Sequence, residues 1–349
     1  MAAPAAAGST YRAVMCERIA ASAKEGIEAA VIRALPRKAK LGDREVRVEV
    51  RAASLNFPEL LMMQNKYQYK PPLPFVLCTE GSGIVRELGG GVAGRLRVGD
   101  RVIFKWDAGC ACEELVLPES ACLPMPGTLS FSQGAGFLMG YETGYHALVH
   151  RGRLAAGEWL LVTGAGGGMG AAAVQLGKAL GARVIAAASS DQKLELCKEL
   201  GADYTVNYSK ESLKEAVGKI TSGAFCDVIY EPVGGEVFDQ CVRCVATGGY
   251  ARLLVIGFAS GEIPKMGVNQ ALIRRFDLVG VQVYGQLMRE RGKLDEMRAE
   301  LLRLAAGGGL APRVSAEVPM ERYREAFTLM EERKVAGKCC ITFGGASKL

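Results

Sequence analysis

The chain has 349 residues, 49% of them apolar, which is enough to bury a large core and to make two domains. Its 43 basic and 37 acidic residues leave a formal charge of +6. The basic residues are spread out rather than clustered, which argues against a nucleic-acid binder and leaves open an anionic small ligand or an ordinary solvated surface. Eleven cysteines sit beside apolar neighbours, as at Cys226, Cys339 and Cys340, and read as reduced core thiols of a cytoplasmic protein. The first nine residues, MAAPAAAGS, carry no long apolar stretch and no Arg, so neither secretion nor a membrane span is expected; they read as a short disordered extension.

In chain order, Glu45 to Ala52 (EVRVEVRA) alternates apolar and polar residues and predicts a half-buried strand. Further strands are predicted at Gly83 to Glu87 and Asp100 to Phe104, each bounded by Gly or Pro. From Ser130 the period changes, with Ser130 and Gln133 opening a helical run through Ala135 to Val149. Strands then alternate with helices, at Trp159 to Thr163, Arg183 to Ala187, Tyr204 to Val206, Asp227 to Tyr230, Ala251 to Ile256 and Leu278 to Val281. This succession predicts an α/β fold with a doubly wound parallel sheet, after a β-rich first third. Two amphipathic helices, Arg289 to Ala306 and Met320 to Arg333, lead to a last strand at Lys338 to Phe343, which reads as a return to the first domain.

Trp159 to Gly170 (WLLVTGAGGGMG) carries a buried strand into a glycine loop, followed by a helix from Ala171 to Leu180. Glycines let backbone N–H groups approach a pyrophosphate, and the helix start adds partial positive charge. Gly166, Gly167, Gly168 and Met169 are therefore candidate dinucleotide contacts. An NAD site places an acid at the end of the second strand for the ribose 2′-hydroxyl; here stand Ala188, Ser189 and Ser190, with Lys193 beyond. Hydroxyls and an ammonium suit a 2′-phosphate and predict NADPH over NADH. Asp191 is the contrary signal, unless it caps the helix that follows.

The segments SLNFPELL (Ser54 to Leu61), YQYKPPLPFV (Tyr67 to Val76), TEGSGIV (Thr79 to Val85), VGDRV (Val98 to Val102), YETGYHAL (Tyr141 to Leu148), GAGGGMG (Gly164 to Gly170), LGADYTVNY (Leu200 to Tyr208) and VIGFASG (Val255 to Gly261) occur in this order. Together they resemble the quinone oxidoreductase, or zeta-crystallin-like, branch of the medium-chain dehydrogenase/reductases, from Tyr11 to Phe343. The resemblance implies a Rossmann NADP-binding domain at 136–285 within a β-rich GroES-like catalytic domain at 1–135 and 286–349, and a homodimer. It also implies Ser189, Lys193 and Tyr208 on the 2′-phosphate side, with Val233, Gly257 and Phe258 lining the ring side and Thr143 near the nicotinamide. Strand-end packing for Val233, Gly257 and Phe258, and a helix back-bond for Thr143, are the alternative readings.

Zinc-dependent relatives polarise the substrate oxygen with a metal held by a Cys, a His followed by Glu, and a further Cys or Glu. Here Asn56 stands at the place of the first Cys and Thr79 at that of the His, before Glu80; neither is a credible zinc ligand. Cys110 and Cys112 lack the partners of a four-cysteine structural site. Cys241 with Cys244 on one predicted helix, and His146 with His150 on another, lack further ligands, so no metal is expected. A conjugated carbonyl tolerates that loss, because the charge arriving with a hydride delocalises onto oxygen.

The expected activity is therefore NADPH-dependent reduction of a quinone or other conjugated carbonyl. The resemblance implies Tyr67 as the hydroxyl donor to the substrate oxygen, with Tyr69 competing for the role. It implies Asn56 as an amide on the nicotinamide side, or else as a turn residue of its own loop. Glu59, Met169, Cys110 and Cys112 depart from the family pattern, and the two thiols are expected to make activity sensitive to oxidants. An enone, alkenal or enoyl-thioester reductase, and an NADPH-binding protein with little turnover, are the competing readings.

Overall fold

The computed structural model describes residues 10–92, 94–287 and 289–344; the predicted disordered extension lies outside the described residues. The chain forms two compact units, one from the residues up to Leu138 together with those from Val314, the other Met139–Arg313. No described helix is long and apolar enough to cross a membrane.

The first unit is built on a seven-stranded sheet. Its path runs from Val314–Pro319 through Lys338–Thr342, Glu45–Ser54, Glu80–Leu88 and Arg101–Lys105 to Cys122–Pro124, with Glu114–Pro118 also paired to Glu45–Ser54. The predicted return of the chain's end is thus present: Lys338–Thr342 lies antiparallel to Glu45–Ser54 and parallel to Val314–Pro319. A smaller sheet joins Val31–Pro36, Thr10–Cys16 and Phe75–Val76. The expected half-burial of Glu45–Ser54 is too low, because Val46, Val48 and Val50 join the main core while Ala52 packs with Ala135 in a second cluster; even Arg47 is buried, its Nη1 donating to Glu114 Oε1 at 2.7 Å.

The second unit holds six parallel strands: β1 (Trp159–Val162), β2 (Arg183–Ala188), β3 (Tyr204–Asn207), β4 (Val228–Glu231), β5 (Ala251–Val255) and β6 (Phe276–Gly280). Their order is β3-β2-β1-β4-β5-β6, so the winding reverses between β1 and β4. That is the doubly wound Rossmann arrangement, whose ligands sit beyond the carboxyl ends of the strands at the reversal. Strands β1 and β4 are buried along their full length, as central strands of a parallel sheet covered on both faces are. Two helices matter most here, α1 (Gly168–Ala179) after β1 and α2 (Asp191–Glu199) after β2.

Two expectations are corrected. Residues 286–313 were placed with the first domain, but the helix Arg291–Ala306 belongs to the second unit. Its buried stripe of Leu294, Met297, Leu301 and Ala305 needed a surface to pack on, and the pattern alone did not say which. Arg298 Nε donates to Glu142 Oε1 at 2.7 Å, and Ala311 N donates to Gln175 Oε1 at 3.1 Å, fixing the segment within that unit. The helical run expected through Ala135 to Val149 is broken into Phe131–Ala135 and Leu138–Tyr145, and continues as a wider π-turned stretch over His146–Arg151. Ser130 and Gln133 form the capping box that opens it.

Candidate active site

At the end of β1 the chain turns through Gly164 to Gly170 into α1. Gly167 is the N-cap residue, extended and without a side-chain cap, so the N–H groups of the first helical turn, including Gly168 and Met169, have no side-chain acceptor supplied by the cap. The turn is as tight as glycine allows: a Cβ at Gly170 would lie 2.4 Å from the Gly164 carbonyl oxygen. A Cβ at Gly166 would lie 2.4 Å from Cβ and 2.7 Å from Cγ of Lys193, so the lysine stem rests directly on the loop. Half-buried backbone donors at Gly168 and Met169, a helix start and an adjacent lysine make an anion-binding cradle.

Ser189 is exposed just beyond β2, and Tyr208 lies half-buried just beyond β3. The two strands pair in register, Ala188 opposite Asn207, and Tyr208 N donates to Ala188 O at 3.2 Å. Ser189, Lys193 and Tyr208 therefore gather at one corner of the loop. Asp191 does not cap α2: Ser190 is the N-cap residue, and the Asp191 carboxylate accepts from Asn207 Nδ2 at 2.7 Å and from Lys210 Nζ. Lys210 and Asn207 hold that carboxyl below its usual range.

On the opposite side, the turns after β4 and β5 pack together. Ala259 N and Ser260 N donate to the carbonyls of Pro232 and Val233 at 3.0 and 2.8 Å, which brings Val233, Gly257 and Phe258 to one place. The turn after β4 is organised by Glu231, fully buried, whose Oε1 accepts from Val233 N at 2.7 Å and Gly234 N at 3.0 Å. Thr143 lies one helical turn from Gly140, where a Cβ would be 3.3 Å from the Gly168 carbonyl oxygen, so that helix borders the glycine loop.

In the first unit, Asn56 begins the helix Phe57–Met62 and belongs to a buried polar cluster. Asn56 N donates to Glu59 Oε2 at 2.7 Å, and Thr79 Oγ1 donates to Glu59 Oε1 at 2.9 Å. Lys338 Nζ donates to Asn56 Oδ1 at 2.7 Å and to Glu80 Oε1 at 2.8 Å, while Asn56 Nδ2 donates to Glu80 Oε1 at 3.0 Å. Removing one member of such a buried pair costs about 3–5 kcal/mol, because the other charge is left without a partner. Burial pushes the Glu59 carboxyl up to about 7, against the opposing pull of the Thr79 hydroxyl, the Asn56 N–H and Lys338.

Tyr67 packs half-buried against the core of the same unit. Burial raises its hydroxyl pKa, the Gln68 hydrogen bond lowers it, and the nearby Glu59 charge raises it further. Tyr69 is 41% exposed, and its smaller neighbourhood includes Asp107 rather than Glu59. Of the two tyrosines, Tyr67 is the one electrostatically coupled to the polar cluster.

Lys338, Glu80 and Glu59 were not singled out from the sequence as site residues. The available signal was a lysine opening the apolar run KCCITF, since a charge in a strand that becomes buried must find a partner. All eleven cysteines are buried and free of disulfides. Burial pushes the Cys110 and Cys112 thiols up, so they are poor thiolates; the expected oxidant sensitivity at these two is not supported by their surroundings. Cys244 lies beyond the end of the helix Gly235–Val242 that holds Cys241, so the two do not share a helix as expected. His146 and His150 meet each other, Nδ1 to Nδ1 at 3.1 Å.

Residues 42–150 match the alcohol dehydrogenase GroES-like domain, and residues 168–304 match the zinc-binding dehydrogenase model. The quinone oxidoreductase-like protein 2 homolog of Nematostella vectensis is 38% identical over 335 residues, covering 95% of this chain and 89% of that protein. The quinone oxidoreductase of Pseudomonas aeruginosa is 32% identical over 306 residues, covering 87% of this chain and 92% of that protein. The chain belongs to the quinone oxidoreductase family of medium-chain dehydrogenase/reductases. Among solved structures, Escherichia coli quinone oxidoreductase complexed with NADPH is similar at a TM-score of 0.81 and 25% identity, over 95% of this chain and 100% of that one.

As a quinone oxidoreductase family member, the protein is an oxidoreductase of small molecules that takes a nicotinamide cofactor. The glycine cradle fits such a dinucleotide. Zinc fits poorly: an amide and a hydroxyl stand at the places of Cys and His, and an ammonium is hydrogen-bonded to that amide. Among the described residues, no group of three or more His, Cys, Asp and Glu could hold a metal ion.

Proposed function

We propose that this protein is an NADPH-dependent, zinc-independent quinone oxidoreductase that also accepts other conjugated carbonyls. The observation that carries the reading is the cation of Lys338 bonded to Asn56 and Glu80, beside the positions that the resemblance matches to metal ligands of zinc-dependent relatives. A conjugated acceptor is the substrate class that such a pocket can serve, since its charge spreads onto an oxygen that a single good donor can stabilise.

NADPH, when bound, supplies the hydride. In this reading the loop of Gly166, Gly167, Gly168 and Met169 holds the pyrophosphate through the N–H groups of Gly166, Gly168 and Met169, while Gly167 N closes the turn by donating to Gly164 O at 3.0 Å, and Ser189, Lys193 and Tyr208 hold the 2′-phosphate. Val233, Gly257, Phe258 and Thr143 border the ring and keep water from it. Tyr67, like any tyrosine, keeps its proton at neutral pH, and burial and Glu59 raise its pKa further, so its hydroxyl acts as a donor to the substrate oxygen. Asn56 contributes an amide N–H. The resemblance carries a homodimer as the assembly, and the eleven free thiols suit the cytoplasm as the compartment.

The test is NADPH oxidation with ortho- and para-quinones, alkenals and enoyl thioesters as acceptors, with NADH as control and a chelator present. Quinone turnover that prefers NADPH and survives the chelator is expected. No turnover with any acceptor, or loss of turnover on chelation, would overturn the reading.

A further inference from the structure

An amide side chain has an oxygen that accepts and a nitrogen that donates, and its surroundings decide which end a ligand meets. At Asn56 that decision is made by an ion pair. Lys338 Nζ donates to Oδ1 at 2.7 Å, and Nδ2 donates to Glu80 Oε1 at 3.0 Å. Turning the amide over would set its N–H groups against the ammonium and its oxygen against the carboxylate. Both contacts would be repulsive, in a pocket where Glu80 is fully buried and the Lys338 side chain is 6% exposed. One Nδ2 hydrogen is used by Glu80. The second is the group that Asn56 can still offer, because Oδ1, with two lone pairs, accepts from Lys338 Nζ and from the Glu59 backbone N–H of the capping box; the residue keeps 8% of its surface open.

We propose that Lys338 and Glu80 are positioning residues that make Asn56 a donor-only contact, selecting a ligand carbonyl oxygen at this point. The inference rests on the reading of Asn56 as a ligand contact. Two carbonyls share the required chemistry, that of the conjugated substrate and that of the nicotinamide carboxamide. The lysine reaches the amide along a fixed track: a Cβ at Gly136 would lie 2.9 Å from Lys338 Cε and 3.1 Å from its Cγ. Gly136 has φ −88°, a conformation alanine accepts, so Gly136→Ala displaces the lysine stem while leaving both charges in place.

The experiment has a ligand-free arm and a ligand arm. In ¹⁵N-labelled protein without cofactor, the Asn56 side-chain NH₂ signals are identified by their loss in Asn56→Asp. The double variant Lys338→Met with Glu80→Gln, which removes both charges of the Lys338–Glu80 pair and is measured below pH 7, where the Glu59 carboxyl holds its proton, is expected to move these signals toward those of a solvated amide and to speed their hydrogen exchange. Gly136→Ala is expected to move them in the same direction by less.

In the ligand arm the double variant is expected to lose about tenfold, the size of one hydrogen bond to a held donor, and Gly136→Ala to lose less. A loss in quinone kcat/KM at unchanged NADPH affinity identifies the substrate carbonyl, and a loss in NADPH affinity identifies the carboxamide. Unmoved amide signals in the folded variants, or moved signals with both ligand parameters unchanged, would overturn the proposal. If the wild-type protein reduces no acceptor, the proposed function fails, while the amide signals and NADPH affinity still test the clamp.

Discussion

Lys193 and Gly166 are in contact: the lysine stem occupies the space where any other residue at position 166 would place its Cβ, 2.4 Å away. The glycine thereby lets α2 approach the loop closely enough to bring an ammonium to its corner. Lys193→Ala is expected to raise the KM for NADPH about tenfold or more, the usual size of a lost hydrogen bond to a charged group, and to leave that for NADH nearly unchanged. Steady-state kinetics with both cofactors checks this, and equal effects on the two would remove the phosphate assignment.

Tyr67 and Tyr69 make opposite predictions. If Tyr67 donates to the substrate oxygen, Tyr67→Phe lowers kcat by about 10²-fold, the range for one correctly placed proton donor, with NADPH affinity unchanged. Tyr69→Phe, at an exposed position without Glu59 nearby, is expected to leave kcat almost intact. Reversed results would move the donor role to Tyr69.

The Glu59 carboxyl binds its proton more tightly in the folded chain, at about 7 against 4.5 for an ordinary glutamic acid. Between these values the native state holds more protons than the unfolded state, so this group's contribution to stability is complete below the lower value and is lost as pH rises through the higher one. Glu59→Gln removes the titration. The Tm of this variant relative to wild type is expected to climb from pH 5 to pH 8, measured by calorimetry. A constant difference across that range would show that Glu59 titrates as an ordinary carboxylate.

The cysteines should be inert in the native protein. Each is buried, and burial raises the thiols of Cys78, Cys110, Cys226 and Cys241 well above their usual range. Alkylation at pH 8 followed by intact mass measurement is expected to show little labelling of the folded protein and eleven adducts in denaturant. Rapid native labelling of Cys110 or Cys112 would restore the idea of an oxidant-sensitive site.

The second unit was largely legible in the sequence because its information is local. Alternation of strand and helix, and the glycine loop between β1 and α1, are written in contiguous residues, and the order of the six strands follows from connection rules. The cradle residues Gly166 to Met169, with Ser189 and Lys193, follow from the same segment logic, whereas Tyr208 rests on the family resemblance alone. The polar cluster of the first unit was only half legible. Asn56 and Thr79 were readable as departures from a motif, but their partner Lys338 bonds across 282 positions to Asn56 and 258 to Glu80. No periodicity records such a pairing. The helix Arg291–Ala306 shows the same limit: its apolar stripe announced burial, not the surface that would bury it.

The late strand Lys338–Thr342 also sets a timetable for biosynthesis. As the ribosome extends the chain, Met139–Arg313 has all its own strands in hand before residue 338 appears, and it can assemble as a unit. The sheet around Glu45–Ser54 cannot, because its neighbour and the cation that neutralises Glu80 emerge only after that second unit is complete. A nascent protein interrupted shortly before position 338 would therefore own a finished second unit beside a first unit whose sheet lacks a strand and whose Glu80 lacks its cation.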